Sequence, residues 1–408
     1  MLKKLIKLIA LFSLAQFLVT VGAENLFAQD WVVADSQVVE NQSILLNGNL
    51  LVGSGGSLTL RGVTLTINNS HNGEYGIWVK SEGAITIEAG SVITAASDLA
   101  RLRFTVDQKA NFVMRNSELR RCGWNVFPSY PYEPGGLRVY GDNPVIENNT
   151  FSENAIAIQL LYGSGGRIAG NRFLNSPSTR AHIGMVGWMG ATIVDNFFST
   201  NPFYGVAVEF ASHNNIIRNN TFDHNMHGAI NTIRAWGNEF SGNQVLGGAG
   251  PYLNHRSGNN RIIDNVFTGP EGVTIFHSTK NTIQGNTFTN STHWNILLGY
   301  ASDNLVANNT ISNNIAVSAQ ASIELYHAST NTLINNRISP VKINDEELIG
   351  ILVRGSSNNN VIQSNEIYSA RRGISLHYSA NGNTVAFNAV NSSSQQGIVI
   401  ESSSDNPN

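Results

Sequence analysis

His255, His277, Tyr300 and His327 recur along the chain at steps of 22, 23 and 27 residues, and Tyr378 falls at the same phase of a later repeat. Beside this series lie Arg138, Tyr140, Gln159, Glu209, Arg234, Asn254, Tyr326, Arg354 and His377, with Glu324 two residues before Tyr326. Arg binds carboxylates through a planar fork. Tyr and His move protons, and their rings stack on sugars. The densest group, Tyr300, Glu324, Tyr326, His327, Arg354 and His377, spreads over four successive repeats. For β-elimination on a uronic acid, Arg354 would neutralise the sugar carboxylate and His327 or Tyr326 would take the adjacent proton. Glu324 and His377 complete that candidate catalytic set. Tyr300, His277, His255, Arg234, Arg138 and Tyr140 would hold the polymer. The plain alternative is a polar face that only keeps the molecule soluble. A two-carboxylate hydrolase fits less well. Glu209 and Glu324 belong to repeats on the order of 24 Å apart, whereas paired glycosidase carboxyls sit about 5 to 10 Å apart. Hydrolysis would need a different acid, such as Asp223 or Glu271.

Two further groups carry chemistry. Residues 124–136 interrupt the repeat with three prolines and with Trp124, Phe127, Tyr130 and Tyr132. Of these, Trp124, Tyr130 and Tyr132 would form an aromatic wall for sugar rings. The competing reading folds this loop onto its own coil as a hydrophobic cover. Asp223-His-Asn-Met-His227 offers His224, Met226 and His227, ligand types suited to copper, beside His213. The spacing recurs in no neighbouring repeat, so ordinary corner residues are the expectation and no metal site is assigned. No cofactor is evident, and a Ca²⁺ requirement stays open.

The elements that must position these residues follow from one phrase, Asn-x-Φ-x-x-Asn-x-Φ with small variations, where Φ is apolar. It reads Asn215-Ile-Ile-Arg-Asn-Asn220-Thr-Phe222, Asn260-Arg-Ile-Ile-Asp-Asn265-Val-Phe267 and Asn281-Thr-Ile-Gln-Gly-Asn286-Thr-Phe288. The second Asn of each copy forms a column through Asn149, Asn171, Asn196, Asn220, Asn243, Asn265, Asn286, Asn309, Asn336, Asn365 and Asn388. Its steps range from 21 to 29 residues. About eleven residues upstream sits a second apolar phrase, as in Gly205-Val-Ala-Val208 and Gly373-Ile-Ser-Leu376. Short alternating strands between Gly, Asn and Ser turns at this period predict an all-β parallel solenoid of about fourteen coils. Equivalent residues stack about 4.8 Å apart. Asn tolerates a left-handed corner, and its amide both donates and accepts, so the column predicts a coil-to-coil ladder.

Residues 31–56 are expected to form an N-terminal cap and first coil, and residues 57–123 looser coils with a 27-residue step through Leu58, Ile85 and Phe112. Residues 137–400 form the regular repeats, and 401–408 a polar tail. That tail guards the last strand weakly, which suggests a thin cap, a truncated product or end-to-end assembly through the C-terminal coil.

These phrases resemble the right-handed parallel β-helix superfamily over roughly residues 40–400. It includes the pectate-lyase-like enzymes and the Asn-rich repeats of periplasmic proteins such as the nitrous-oxide-reductase maturation factor. The resemblance implies the fold. The catalytic motifs of polygalacturonases, the main pectate lyases and alginate epimerases are absent, so it transfers no catalytic residue.

Lys3, Lys4 and Lys7 precede an apolar run from Leu8 to Val21, which reads as a signal peptide over 1–23 with residue 28 as an alternative end. Export places the protein in the periplasm, at the cell surface or in the medium, without a stable membrane span. Cleavage takes the formal charge from −3 to −6, which leaves no basic footprint for nucleic acid. Cys122 stands alone and forms no intramolecular disulfide. The leading expectation is a secreted protein that binds an extended uronate-containing polysaccharide, acting as a lyase or related carbohydrate-active enzyme. The rival is a non-catalytic envelope scaffold or metal-delivery module.

Overall fold

The computed structural model describes residues 25–27, 29–124, 135–176, 180–199, 201–312, 321–339, 348–377 and 379–401. The segment expected to be a signal peptide, most of the aromatic insertion including Tyr130 and Tyr132, Tyr378 and the last seven residues of the tail lie outside them. No helix among the described residues is long and apolar enough to cross a membrane.

Each coil contributes one short strand to each of three parallel sheets of 16, 15 and 16 strands. One coil serves for all: Tyr204–Glu209 in the first sheet, Ile216–Arg218 in the second and Thr221–Asp223 in the third. Each strand pairs in parallel with its equivalent one coil on, for example Ala207 with Asn231, Ile217 with Phe240 and Phe222 with Val245. Alternation decides what faces inward. Val206, Val208, Ile217 and Phe222 are fully buried. Because the coils repeat at strand spacing, the inward Phe of the third sheet stack face on. Phe173 and Phe198 lie 4.7 Å apart at 4°, and Phe198 and Phe222 lie 4.8 Å apart at 5°. The 27-residue coils keep the expected register, with Ile85 between Leu58 and Phe112.

The Asn column is a continuous ladder, but its members do not occupy the left-handed corner. That conformation falls on the residue before each, such as Asn219 (φ 55°), Gly242 (φ 62°) and Asp264 (φ 53°). The corner thereby turns the following Asn inward, where all but the last, Asn388, are almost fully buried. Asn220 donates its backbone N–H and its Nδ2 to Oδ1 of Asn243, at 2.9 and 3.1 Å. Asn243 repeats both bonds toward Asn265. A second ladder runs beside it through the first Asn of the phrase, from Asn215 through Asn238 and Asn260 to Asn281 and on to Asn383. The two ladders bracket the second sheet at both its corners.

Within the core, His182 is fully buried near the rings of Phe173 and Phe198, and burial pushes its pKa down to about 4. Cys122 is fully buried, and burial pushes its thiol strongly up. At the far end, Ile398 and Ile400 are 49% and 79% exposed, whereas their equivalents Ile374 and Leu376 are buried.

Candidate functional site

The outer face of the first sheet carries the side chains anticipated for chemistry, sorted by strand pairing into three columns. The first runs Trp78, Thr105, Arg138, Gln159, Gly184, Ala207, Asn231 and Tyr252. The second, two residues on, includes Glu209, Ile233, Asn254, Tyr326, Arg354 and His377. The third, one residue further, holds Arg234, His255, His277, Tyr300 and His327. All five have positive φ, between 48° and 51°. Arg234 therefore belongs with the corner residues, not with Glu209, and His377 stands one column away from the other histidines.

Three rings of the corner column pack on one another. His277, Tyr300 and His327 stack on one another at 4.9 Å in each step, at 22° and 10°. Strand spacing makes each ring cover its neighbour's face, so the middle ring, Tyr300, is left with its edge. His255 and Arg234 lie beyond this stack.

The anticipated catalytic group comes together in space, but its charges are already matched. Arg354 donates Nε and Nη2 to Oε1 of Glu324, at 2.7 and 2.6 Å. Its guanidinium also lies 4.5 Å from the Tyr326 ring. Glu324 and Arg354 sit on adjacent strands, one an x position and the other two residues on, which puts them in diagonal reach. The charge of Arg354 is thus matched by Glu324, the role anticipated for a sugar carboxylate. Tyr326 packs edge on against His327 at 4.4 Å. His377 bonds Ser375 and lies 3.3 Å from Glu401, and burial lowers its pKa.

Two recesses lie along the first column of this face. One is a shallow hollow of about 620 Å³ lined by Trp78, Arg103, Asp107, Lys109, Arg138 and Tyr140. Trp78 donates Nε1 to Asp107 at 2.9 Å, and Arg138 donates Nη2 to the Tyr140 hydroxyl at 2.7 Å. Arg138 and Tyr140 thus line a real depression, joined by Trp78, Arg103 and Lys109, which sequence reasoning missed. Trp124 packs over Gly73 and is not among these lining residues.

The second recess is a cavity of about 180 Å³ around Glu209. Gly184 and Ala207, the smallest side chains of the first column, form its floor, with Gln159 and Asn231 at either end and Arg180, Tyr204 and Tyr252 around it. Glu209 is buried there with one bond, Asn231 Nδ2 to its Oε1 at 3.0 Å, and Oε2 has no partner. Burial pushes its pKa up to about 7, offset in part by Asn231. The available signal was two small residues at successive x positions beside a lone acid.

Of the copper-type residues, His224 is paired with Asp223 at 2.5 Å, Met226 is exposed and His227 packs on Phe203 at 4.4 Å. Among the described residues no three His, Cys, Asp or Glu side chains are grouped as metal ligands.

Two family models match parts of the chain: a right handed beta helix region over residues 249–408, and the periplasmic copper-binding protein NosD over residues 125–270. With the three-sheet solenoid, they define the class as a right-handed parallel β-helix protein. The chain is similar to the A-module of the Azotobacter vinelandii mannuronan C-5 epimerase AlgE6, at 14% identity and TM-score 0.45, over 90% of this chain and 91% of that one. It is also similar to a PL6 alginate lyase solved with a trisaccharide, at 14% identity and TM-score 0.48, over 82% of each chain. A third likeness is to PfbA, a surface adhesin of Streptococcus pneumoniae, at 15% identity and TM-score 0.37, over 91% of this chain and 89% of that one. The chain has no match among curated proteins.

Proposed function

We propose that the exported protein binds an extended acidic polysaccharide along the outer face of the first sheet and cleaves it as a lyase. The observation that carries this reading is the continuous run from the hollow at Trp78 to the Glu209 cavity. The hollow gathers Arg103, Lys109 and Arg138 around an indole and a phenol. Guanidinium and ammonium groups suit carboxylates, and aromatic rings suit the apolar faces of sugars. Seven strand steps separate Trp78 from Tyr252, on the order of 34 Å, which favours an extended polymer over a small molecule. Elimination is favoured over hydrolysis because Glu209 is the one acid among the described residues lining its cavity. Asp107, the other acid of the run, lies four strand steps away, on the order of 19 Å. That exceeds the separation paired carboxyls need.

The test is binding of uronate polymers by affinity electrophoresis, together with absorbance of the unsaturated product. The double variant R103A/R138A is expected to bind at least tenfold more weakly, since each charge-assisted contact contributes roughly 1.5 to 3 kcal/mol. Its residual binding should also depend less on salt. Parental affinity with parental salt dependence would refute the track.

The match to a periplasmic copper-binding family over residues 125–270 favours one other reading, copper delivery, because His224, Met226 and His227 lie inside it. Stoichiometric copper uptake, lost in H224A/H227A, with no product from any polymer would replace the lyase reading. The expected result is product formation unaffected by H224A/H227A.

A further inference from the structure

Building on the polysaccharide reading, we propose that Glu209 is the catalytic base, taking through Oε2 the proton α to the carboxylate of a uronate ring seated in its cavity. Glu209 ends the strand Tyr204–Glu209 and faces outward, yet it is buried. A buried carboxyl with an unfilled oxygen is costly to keep. No described group fills Oε2, and the cavity in front of it is where a ligand would. The floor of Gly184 and Ala207 leaves room that larger residues at those positions would take.

The other titratable groups lining the cavity are Arg180, Tyr204 and Tyr252. Arg180 and Tyr252 both act on the Tyr204 phenol, which burial raises above its ordinary value. Glu209 is governed by burial and Asn231. Arg180, Tyr204 and Glu209 line the same cavity, so a ring seated there meets all three. In the step, Arg180 faces the sugar carboxylate and Glu209 takes the α proton. The C–H electron pair forms the double bond to the β carbon, and the bond from that carbon to the leaving oxygen breaks. The leaving oxygen takes the Tyr204 proton, so cleavage yields an unsaturated uronate and a free hydroxyl. The proton held by Glu209 then returns to the Tyr204 phenolate through solvent, and the site is reset. Burial holds Glu209 at about 7, where a carboxylate both accepts and releases a proton near neutral pH.

The experiment uses the exported chain, its E209Q and Y204F variants, and polymers of single uronic acids. E209Q is expected to lower kcat about 10³-fold, within the range of general-base removal, with KM changed less than about threefold. The parent's kcat/KM should rise with pH around a midpoint near 7, a limb missing from the residual E209Q activity. Y204F should lower kcat about 10²-fold. E209Q turnover within threefold of the parent would overturn the assignment while leaving the binding track intact. Polymer binding without unsaturated product from the parent would overturn both the assignment and the lyase reading. Absence of any polymer binding would overturn the track and, with it, the assignment. Circular dichroism of E209Q, which keeps the shape of the side chain, separates lost chemistry from lost folding.

Discussion

Asn243→Ala is expected to lower the unfolding free energy by about 4 kcal/mol or more, as much as truncating a core phenylalanine. The Asn243 amide stands mid-ladder. Its Oδ1 accepts from the backbone N–H and Nδ2 of Asn220, and its Nδ2 donates to Ile217 O and Asn265 Oδ1. Removing it breaks four bonds at a site with almost no solvent. It strands the Asn220 N–H, at about 1 to 3 kcal/mol when buried unpaired, while the Asn220 amide keeps Ile193 O and Arg218 O. Asn243→Asp should be worse, since a carboxylate donates nothing and brings a buried charge. In a solenoid each coil rests on its neighbours, so the loss should show first as local opening around residues 217–265. Urea denaturation followed by hydrogen exchange tests both statements. A change below about 1 kcal/mol in Asn243→Ala, typical of one ordinary hydrogen bond, would mean the ladder is decorative.

Glu209→Gln should stabilise the protein at pH 8 by on the order of 3 kcal/mol while leaving it close to the parent near pH 4. The folded carboxyl titrates at about 7 against an ordinary 4.5. Between those values the folded state holds a proton that the unfolded state has released. Stability therefore falls as pH rises through that window, by about 1.4 kcal/mol for each pH unit crossed. Gln has no proton to lose, so the fall disappears. His182 has the opposite sign. Its folded value of about 4 lies below the ordinary 6.5, so its stability contribution is full above about 6.5 and is lost as pH falls toward 4. From 4.5 to 6.5 the contributions of these two groups oppose one another. E209Q should unmask the His182 slope, with stability rising across that range. Urea midpoints at pH 4, 6 and 8 decide this, and E209Q no more stable than the parent at pH 8 would refute it. A residue whose removal stabilises the fold is kept for something other than the fold.

The β-helix was legible because its signal is written once per coil. Asn-x-Φ-x-x-Asn-x-Φ names two corners, one inward apolar position between them and the Phe stack, and the register of Leu58, Ile85 and Phe112 follows from the same logic. The second ladder was present in the first Asn of each phrase from Asn215 onward. Its role emerged only with the corners, where the left-handed residue proved to be the one before each Asn. Periodicity also located the outer face of the first sheet.

Phase alone could not say what that face does. The spacing of His277, Tyr300 and His327 marks a shared column, but whether rings at strand spacing greet a ligand or each other depends on the corner conformation that aims them. The types and phases of Glu324 and Arg354 are compatible with catalysis, yet their diagonal approach across two strands joins them to each other. Glu209 looked like one more outward acid. The missing side chains of Gly184 and Ala207, with the walls of Tyr204 and Tyr252, make it a buried carboxyl with an unfilled oxygen. The sequence by itself determined the solenoid and the face, because both repeat with every coil. The tertiary structure decided which outward groups are spent on one another and which are held in a cavity, because burial and pairing depend on side chains more than twenty residues away in the chain.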